Sequence, residues 1–134
     1  ELKIKKMCND LGLNNAVHFE GAADFNRIKE IASRSSFYLQ TSLFEGASMS
    51  VMEAMQLGLV PIVTPVGDIS RYCKNKYNSL VIIDNQGTFS DINLLLNDNN
   101  NFQNIRERAI NTFTNRSLYV DDIHEACMRL LKAK

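Results

Sequence analysis

Apolar positions along the chain recur with two spacings that take turns. Leu2, Met7 and Leu11 fall near one face of a helix over 2–11, with Lys3, Lys5, Lys6 and Asp10 on the wet side and Gly12 as its stop. Val17-His18-Phe19 reads as a short strand, and Asp24 as the cap of a helix over 25–34 that turns Ile28, Ile31 and Ala32 inward. Phe37-Tyr38-Leu39 predicts a second strand, followed by a loop from Gln40 to Ser48 and a helix over 49–57 ended by Gly58. Leu59 to Thr64 predicts a third strand that Pro65 ends, and Gly67-Asp68 a tight turn before a short helix over 69–74. Leu80-Val81-Ile82-Ile83 is a continuous apolar run of the kind found in parallel strands. Helices over 88–97, 101–115 and 118–132 complete the pattern, with a polar hinge at Asn97 to Asn101. Strands separated by helices predict an α/β fold, a parallel sheet with helices on both faces. Ligands of such sheets bind beyond the carboxyl ends of the strands, which points to the loops 21–24, 40–48 and 64–68.

Composition narrows the function classes. At 134 residues, 45% hydrophobic and 22% charged, the chain has the makings of one domain with an ordinary core. Lys+Arg and Asp+Glu both number 15, so no basic excess points to nucleic acid. Cys8, Cys73 and Cys127 are widely spaced and odd in number, which argues against a zinc site and a disulfide framework and fits reduced thiols in a cytoplasmic protein. No run approaches a membrane span. The charged opening Glu1-Leu2-Lys3-Ile4-Lys5-Lys6 reads as the middle of a helix, so the chain is expected to be a piece of a longer protein.

Two carboxylates carry the candidate chemistry. Glu45 lies in the loop after the second strand and Glu53 in the following helix, spaced E-x7-E. That places Glu45 before a helix N-terminus, whose free N–H groups bind hydroxyl or phosphate oxygens. Gly46 lets a ligand approach the backbone, and a carboxylate such as Glu53 accepts two hydrogen bonds from a vicinal diol. Spacing alone leaves a plainer reading open. Glu53 falls opposite Val51 on the helical wheel, as a solvated residue does, and an acidic group near a helix N-terminus is favourable without any ligand. His18 reads as a packed or edge residue, His124 as surface, and Arg71, Lys74 and Lys76 as a solvated basic turn. Met49, Met52 and Met55 read as one packing face.

The segments Ser42-Leu43-Phe44-Glu45-Gly46, Met52-Glu53-Ala54-Met55, Gly58 to Thr64 and Val66-Gly67-Asp68-Ile69 closely resemble the GT4-type retaining glycosyltransferases. The likeness runs from Val17-His18-Phe19-Glu20-Gly21 to about residue 83, and more loosely to Phe113 and Tyr119 in the tail. It implies the C-terminal half of a GT-B architecture, a Rossmann-like, nucleotide-sugar-binding domain over 1–134 whose first strand and N-terminal acceptor domain lie outside the chain. By resemblance, Glu45 contacts the donor sugar and is the catalytic-site residue. Glu53 holds the ribose hydroxyls, backbone N–H groups of Gly46, Ala47 and Ser48 face the sugar and leaving phosphate, and Ser42 and Gly67 shape the pocket floor. The implied reaction is a hexosyltransferase-type transfer of sugar from a nucleoside diphosphate sugar to an acceptor hydroxyl. It retains anomeric configuration, needs no metal and no cofactor, and serves polysaccharide or glycoconjugate synthesis. The implied partners are the donor and the N-terminal acceptor domain, and the implied location is cytoplasmic or peripheral at the inner membrane face.

This chain departs from the family pattern in three places. Gly46-Ala47-Ser48 replaces the common Gly-Phe-Gly, Asp68 stands where a second glycine commonly follows Gly67, and Ser70-Arg71 stands where a carboxylate is frequent. The cations that grip the diphosphate in the family would precede Glu1. Each charge-assisted bond lost costs about 1.5–3 kcal/mol, so donor binding by this chain alone is expected to be weak and the chain alone inactive. Two other readings share the sequence. A sugar-nucleotide epimerase would carry further acid and base residues, and a non-catalytic nucleotide-binding or interaction module would keep the fold without the chemistry.

Overall fold

The computed structural model describes residues 2–114 and 127–129. The chain divides into two compact units, residues 1–30 and 31–134. In the first, α1 (Leu2–Asp10) ends in a turn closed by Leu13 N–H donating to Cys8 O at 2.8 Å. Val17–Phe19 forms no strand: Phe19 is exposed, with the Lys5 ammonium 5.3 Å from its ring centroid, and His18 is exposed beside it. A three-residue segment with an apolar residue at each end makes a strand only where a neighbour supplies a hydrogen-bonded ladder, and among the described residues none pairs with this segment. Leu2, Met7 and Leu11 are exposed rather than packed, and only Cys8 of α1 is buried. Asp24 caps α2 (Phe25–Ser33) as expected, its Oδ1 accepting from Arg27 N–H at 2.8 Å, and the Arg27 guanidinium pairs with Glu20 and Glu30.

The second unit is built on a parallel sheet of β1 (Phe37–Gln40), β2 (Val60–Val63) and β3 (Leu80–Val81), in that order. The crossovers are α3 (Met49–Gln56) and α4 (Ile69–Tyr72), and α5 (Asn85–Asn97) and α6 (Asn99–Thr114) follow. Alternation along the strands sorts the core into two layers. Val60, Ile62 and Leu80, with Phe37 and Ile82, pack on Leu95 of α5 and Ile105 of α6. Val63 turns the other way, into a cluster of Val51, Met55, Ile69, Tyr72, Cys73 and Ala109. Both faces are therefore covered, as the alternating pattern requires.

Several elements differ in extent from expectation. β1 includes Gln40, which the pattern had placed in the loop, and β3 stops at Val81, leaving Ile83 exposed. α5 begins earlier because the Asp84 carboxylate accepts from Gly87 N–H at 2.6 Å and so serves as its cap. The polar hinge shrinks to Asp98, whose Oδ1 accepts from Asn101 N–H at 3.0 Å and starts α6. Met55 and Met52 pack as expected but Met49 does not, at 63% exposure. Steps of three residues fall 60° short of a full turn, so the series rotates off the buried face. The helix expected over 118–132 lies mostly outside the described residues, with 127–129 helical, and so do His124 and Tyr119. Phe113 stacks edge-on against Tyr72, ring centroids 5.4 Å apart.

Pro61 stands in the central strand, where a missing N–H ordinarily breaks a ladder. In a parallel strand successive N–H groups point to opposite neighbours. Val60 donates to Ser36 O, on the β1 side, so Pro61 faces the β3 side. Pairing with β3 begins one residue later, at Ile62 opposite Leu80, and no bond to β1 is lost.

Candidate functional site

The carboxyl ends of β1 and β2 release the chain into two loops, Thr41–Ser48 and Thr64–Asp68, and these loops are laced together. Thr64 N–H donates to Gln40 O at 3.1 Å, Thr64 Oγ1 to Ser42 O at 2.6 Å, and Asp68 N–H to Gly46 O at 3.0 Å. Gly67 takes φ +55°, and its Cα lies so close under the first loop that a Cβ there would meet Glu45 O and, at 2.7 Å, Gly46 O. Tyr72, from α4, closes the third side: its hydroxyl donates to Ala47 O at 2.9 Å and is 3.3 Å from Ser48 O.

At the centre is a side chain that pattern reading passed over. Gln40 is buried, and its Nε2 donates to Glu45 Oε1 at 2.5 Å and to Ser48 Oγ at 2.8 Å, with Ser42 Oγ at 3.3 Å. Its Oε1 accepts from Tyr38 at 3.2 Å and from Ser50 at 3.1 Å. The available signal was an amide closing an otherwise apolar strand, Phe37-Tyr38-Leu39-Gln40.

Ser48 is the N-cap residue of α3, yet its side chain makes no capping bond and its backbone is left-handed, φ 53° and ψ 68°. An N-cap residue normally lies in the β region with its hydroxyl on the N–H two or three residues ahead. Here the hydroxyl is turned to Gln40 instead. Val51 N–H reaches only back to Ser48 O, at 3.1 Å. The first turn of α3 thus keeps the partial positive charge of an uncapped helix N-terminus directly after the Glu45–Ser48 loop.

Of the residues singled out by sequence, Ser42, Glu45, Gly46, Ala47, Ser48 and Gly67 are brought into this one hydrogen-bonded cluster. Glu53 takes no part in it. It lies exposed on α3, on the side away from buried Val51, as the helical wheel requires. A cavity of about 360 Å³ opens between α3 and α4, lined by Met52, Asp68, Arg71 and Tyr72. The basic turn is dispersed rather than convergent: Arg71 pairs with Asp68 at 3.4 Å, Lys74 bonds Ser70 O and Lys76 pairs with Asp91 at 2.8 Å. A wider groove, about 440 Å³, lies at the other end of the strands between Ser33–Ser36 and the α5–α6 corner, and holds none of these residues. Among the described residues no three His, Cys, Asp or Glu side chains gather as a metal cluster, and no helix is long and apolar enough to cross a membrane.

Burial pushes the Tyr72 phenol up to about 12, with the charges of Cys73, Glu45 and Asp68 adding to it and its bond to Ser48 opposing. Burial likewise lifts the Cys73 thiol to about 11, so this sulfur is a packed group rather than a nucleophile. A phenol whose folded value lies above its free value near 10 stabilises the fold fully below pH 10 and loses that contribution as pH rises towards about 12. Urea midpoints taken across that window should fall more steeply for the native chain than for Tyr72→Phe, which has no proton to lose. Parallel curves would remove Tyr72 from the alkaline transition.

Comparison with known proteins bears on this arrangement. Residues 1–112 match the family described as "Glycosyl transferases group 1". The chain is 29% identical over 84 residues to the uncharacterized glycosyltransferase MJ1069 of Methanocaldococcus jannaschii, a match that takes in 62% of this chain and 21% of that protein. The chain thus spans about a fifth of the length of this curated relative. The C-terminal domain of a glycosyl transferase group 1 family protein, LpcC, from Francisella tularensis superposes with TM-score 0.73 at 20% identity, over 85% of this chain and 60% of that one. Anabaena Alr3699/HepE, solved in complex with UDP, superposes with TM-score 0.79 at 21% identity, over 98% of this chain and 36% of that one. The architecture is therefore that of GT-B C-terminal domains.

Proposed function

The chain belongs to the group 1 glycosyl transferases, and from that premise we propose that it is the donor-binding domain of a retaining glycosyltransferase. The observation that carries this reading is the loop Ser42–Ser48: it fixes a carboxylate and leads into a helix terminus whose own cap hydroxyl is turned away. A nucleoside diphosphate sugar presents matching chemistry, sugar hydroxyls for Glu45 and an anionic leaving group for the N–H groups at the start of α3. UDP bound to HepE, which shares the fold, supports a uridine nucleotide as the first donor to try.

In this reading Glu45 accepts hydrogen bonds from the donor sugar and holds its ring over the loop. It is not a nucleophile. Its Oε1 is engaged by Gln40, which keeps the group oriented as an acceptor. Backbone N–H groups of Gly46 to Ser48, with the first turn of α3, lie where charge grows as the sugar–phosphate bond breaks, and stabilise it there. Glu53 takes the vicinal hydroxyls of the ribose. Ser42 and Gly67 support the floor, Ser42 through Thr64 and Gly67 by its closeness to Glu45 and Gly46. The acceptor hydroxyl, and a second domain to present it, come from the rest of the protein. The reading assigns no metal and no cofactor, and places the product in polysaccharide or glycoconjugate synthesis.

Calorimetric titration tests it. UDP, GDP and ADP, each with and without a sugar, are compared on the native chain and on Glu53→Ala. One nucleotide should bind with a Kd of about 1 mM or somewhat tighter. Loss of two hydrogen bonds to a charged group should weaken it by about tenfold or more in the variant. Equal binding by the two chains would remove the ribose role from Glu53, and no binding of any nucleotide would remove the donor reading.

A further inference from the structure

A strand end between two covered faces ordinarily carries an apolar side chain, because a buried amide is costly unless every polar atom is paired. Gln40 is 9% exposed and opposite Val63 in the sheet, yet its amide is fully used. Nε2 has two hydrogens and three acceptors within reach, the nearest being Glu45 Oε1 at 2.5 Å and Ser48 Oγ at 2.8 Å. Oε1 takes the hydroxyls of Tyr38 and Ser50. The amide therefore has two halves. The acceptor half ties β1 to α3, and the donor half ties the sheet to Glu45 and Ser48.

The donor half has two consequences for the loop. It fixes one oxygen of the Glu45 carboxylate on a rigid strand. It also draws the Ser48 hydroxyl away from the α3 N–H groups and matches the left-handed backbone at Ser48, a conformation that a non-glycine residue keeps only where its surroundings hold it. We infer that Gln40 is a positioning residue that sets both parts of the donor site at once, orienting the Glu45 carboxylate and keeping the α3 N-terminus uncapped. This rests on the donor-domain reading above. Gln40 itself touches neither sugar nor phosphate and acts through Glu45 and Ser48.

Q40E separates the two halves. It keeps acceptors for Tyr38 and Ser50 and removes the donors to Glu45, Ser42 and Ser48. Hydrogen exchange of the Val51 and Asp68 amides, which bond Ser48 O and Gly46 O of the loop, and the ratio of UDP-glucose to UDP affinity are measured on the native chain, Q40E and Q40E/E45Q. Exchange at Val51 and Asp68 should quicken by about tenfold in Q40E, and any preference for UDP-glucose over UDP should vanish. The double exchange rebuilds the amide–carboxylate bond with reversed polarity. It should restore slow exchange but not the sugar preference, because the carboxylate then sits on the strand. A purely structural role would restore both or neither. If charge repulsion unfolds Q40E, Q40M removes the donor without adding charge but also removes the acceptor for Tyr38 and Ser50, so it is read against Y38F/S50A, which removes the partners of the acceptor half alone. Native exchange and a native affinity ratio in a folded variant would overturn the inference. If the native chain binds neither probe, the donor-domain reading fails, and unchanged exchange in the variants still overturns the positioning role on its own.

Discussion

Replacing Gly67 with alanine is expected to unseat the loop that carries Glu45 and to lower stability by about 3 kcal/mol or more. Two effects combine. The left-handed φ of +55° alone costs an L-residue about 1–2 kcal/mol. The added Cβ also meets backbone, the carbonyl oxygens of Glu45 and Gly46, so no side chain can rotate aside to relieve it. Relief must come from moving the Glu45–Gly46 peptide, which breaks the Asp68 N–H bond to Gly46 O. Donor binding should therefore fall even under conditions where the variant stays folded. Gly46→Ala is the control for stability, since a Cβ there meets nothing within 4 Å and the melting temperature should hardly move. Equal melting temperatures for the two variants would mean that the two loops are not seated on one another.

Met55→Ala should cost about 2–5 kcal/mol, the range for truncating a fully buried long side chain. Met55 is wholly buried among Val51, Val63, Ile69, Tyr72, Cys73 and Ala109, which belong to separate elements and cannot all close on the cavity left behind. Met49→Ala, six residues earlier and exposed, should stay within about 0.5 kcal/mol of the native value. Chemical unfolding of both variants measures the difference. Similar losses would mean that α3 packs by a different face.

Much of the fold was legible because its strands are apolar and its helices carry a helical period. β1, α3 and β2 were each expected within a residue or two of where they lie. What the pattern could not supply was pairing. Val17–Phe19 has strand composition but no ladder, and Ile82–Ile83 continues an apolar run past the point where β3 stops. Helix starts at Asn85 and Asn99 were misplaced because Asp84 and Asp98 act as caps, a role fixed by one side-chain bond each. At the site, family resemblance pointed to Ser42, Glu45, Gly46, Ala47, Ser48 and Gly67, which do converge, and to Glu53, which lies exposed outside that cluster. Gln40, the group that joins them, reads in the sequence as the first residue of a loop, because its importance lies in contacts at sequence separations of two to ten.

Pro61 has one more effect, on how copies of this molecule meet. With no N–H to offer on that flank, β2 recruits β3 only from Ile62 onward, and the described partner is two residues long. The outer side of β3 is consequently a stub of roughly 7 Å. A strand from another molecule could gain little by docking along it, and Asp84 turns the chain into a helix just beyond. A margin this short, begun one residue late beside a proline, offers little template for strand-to-strand pairing.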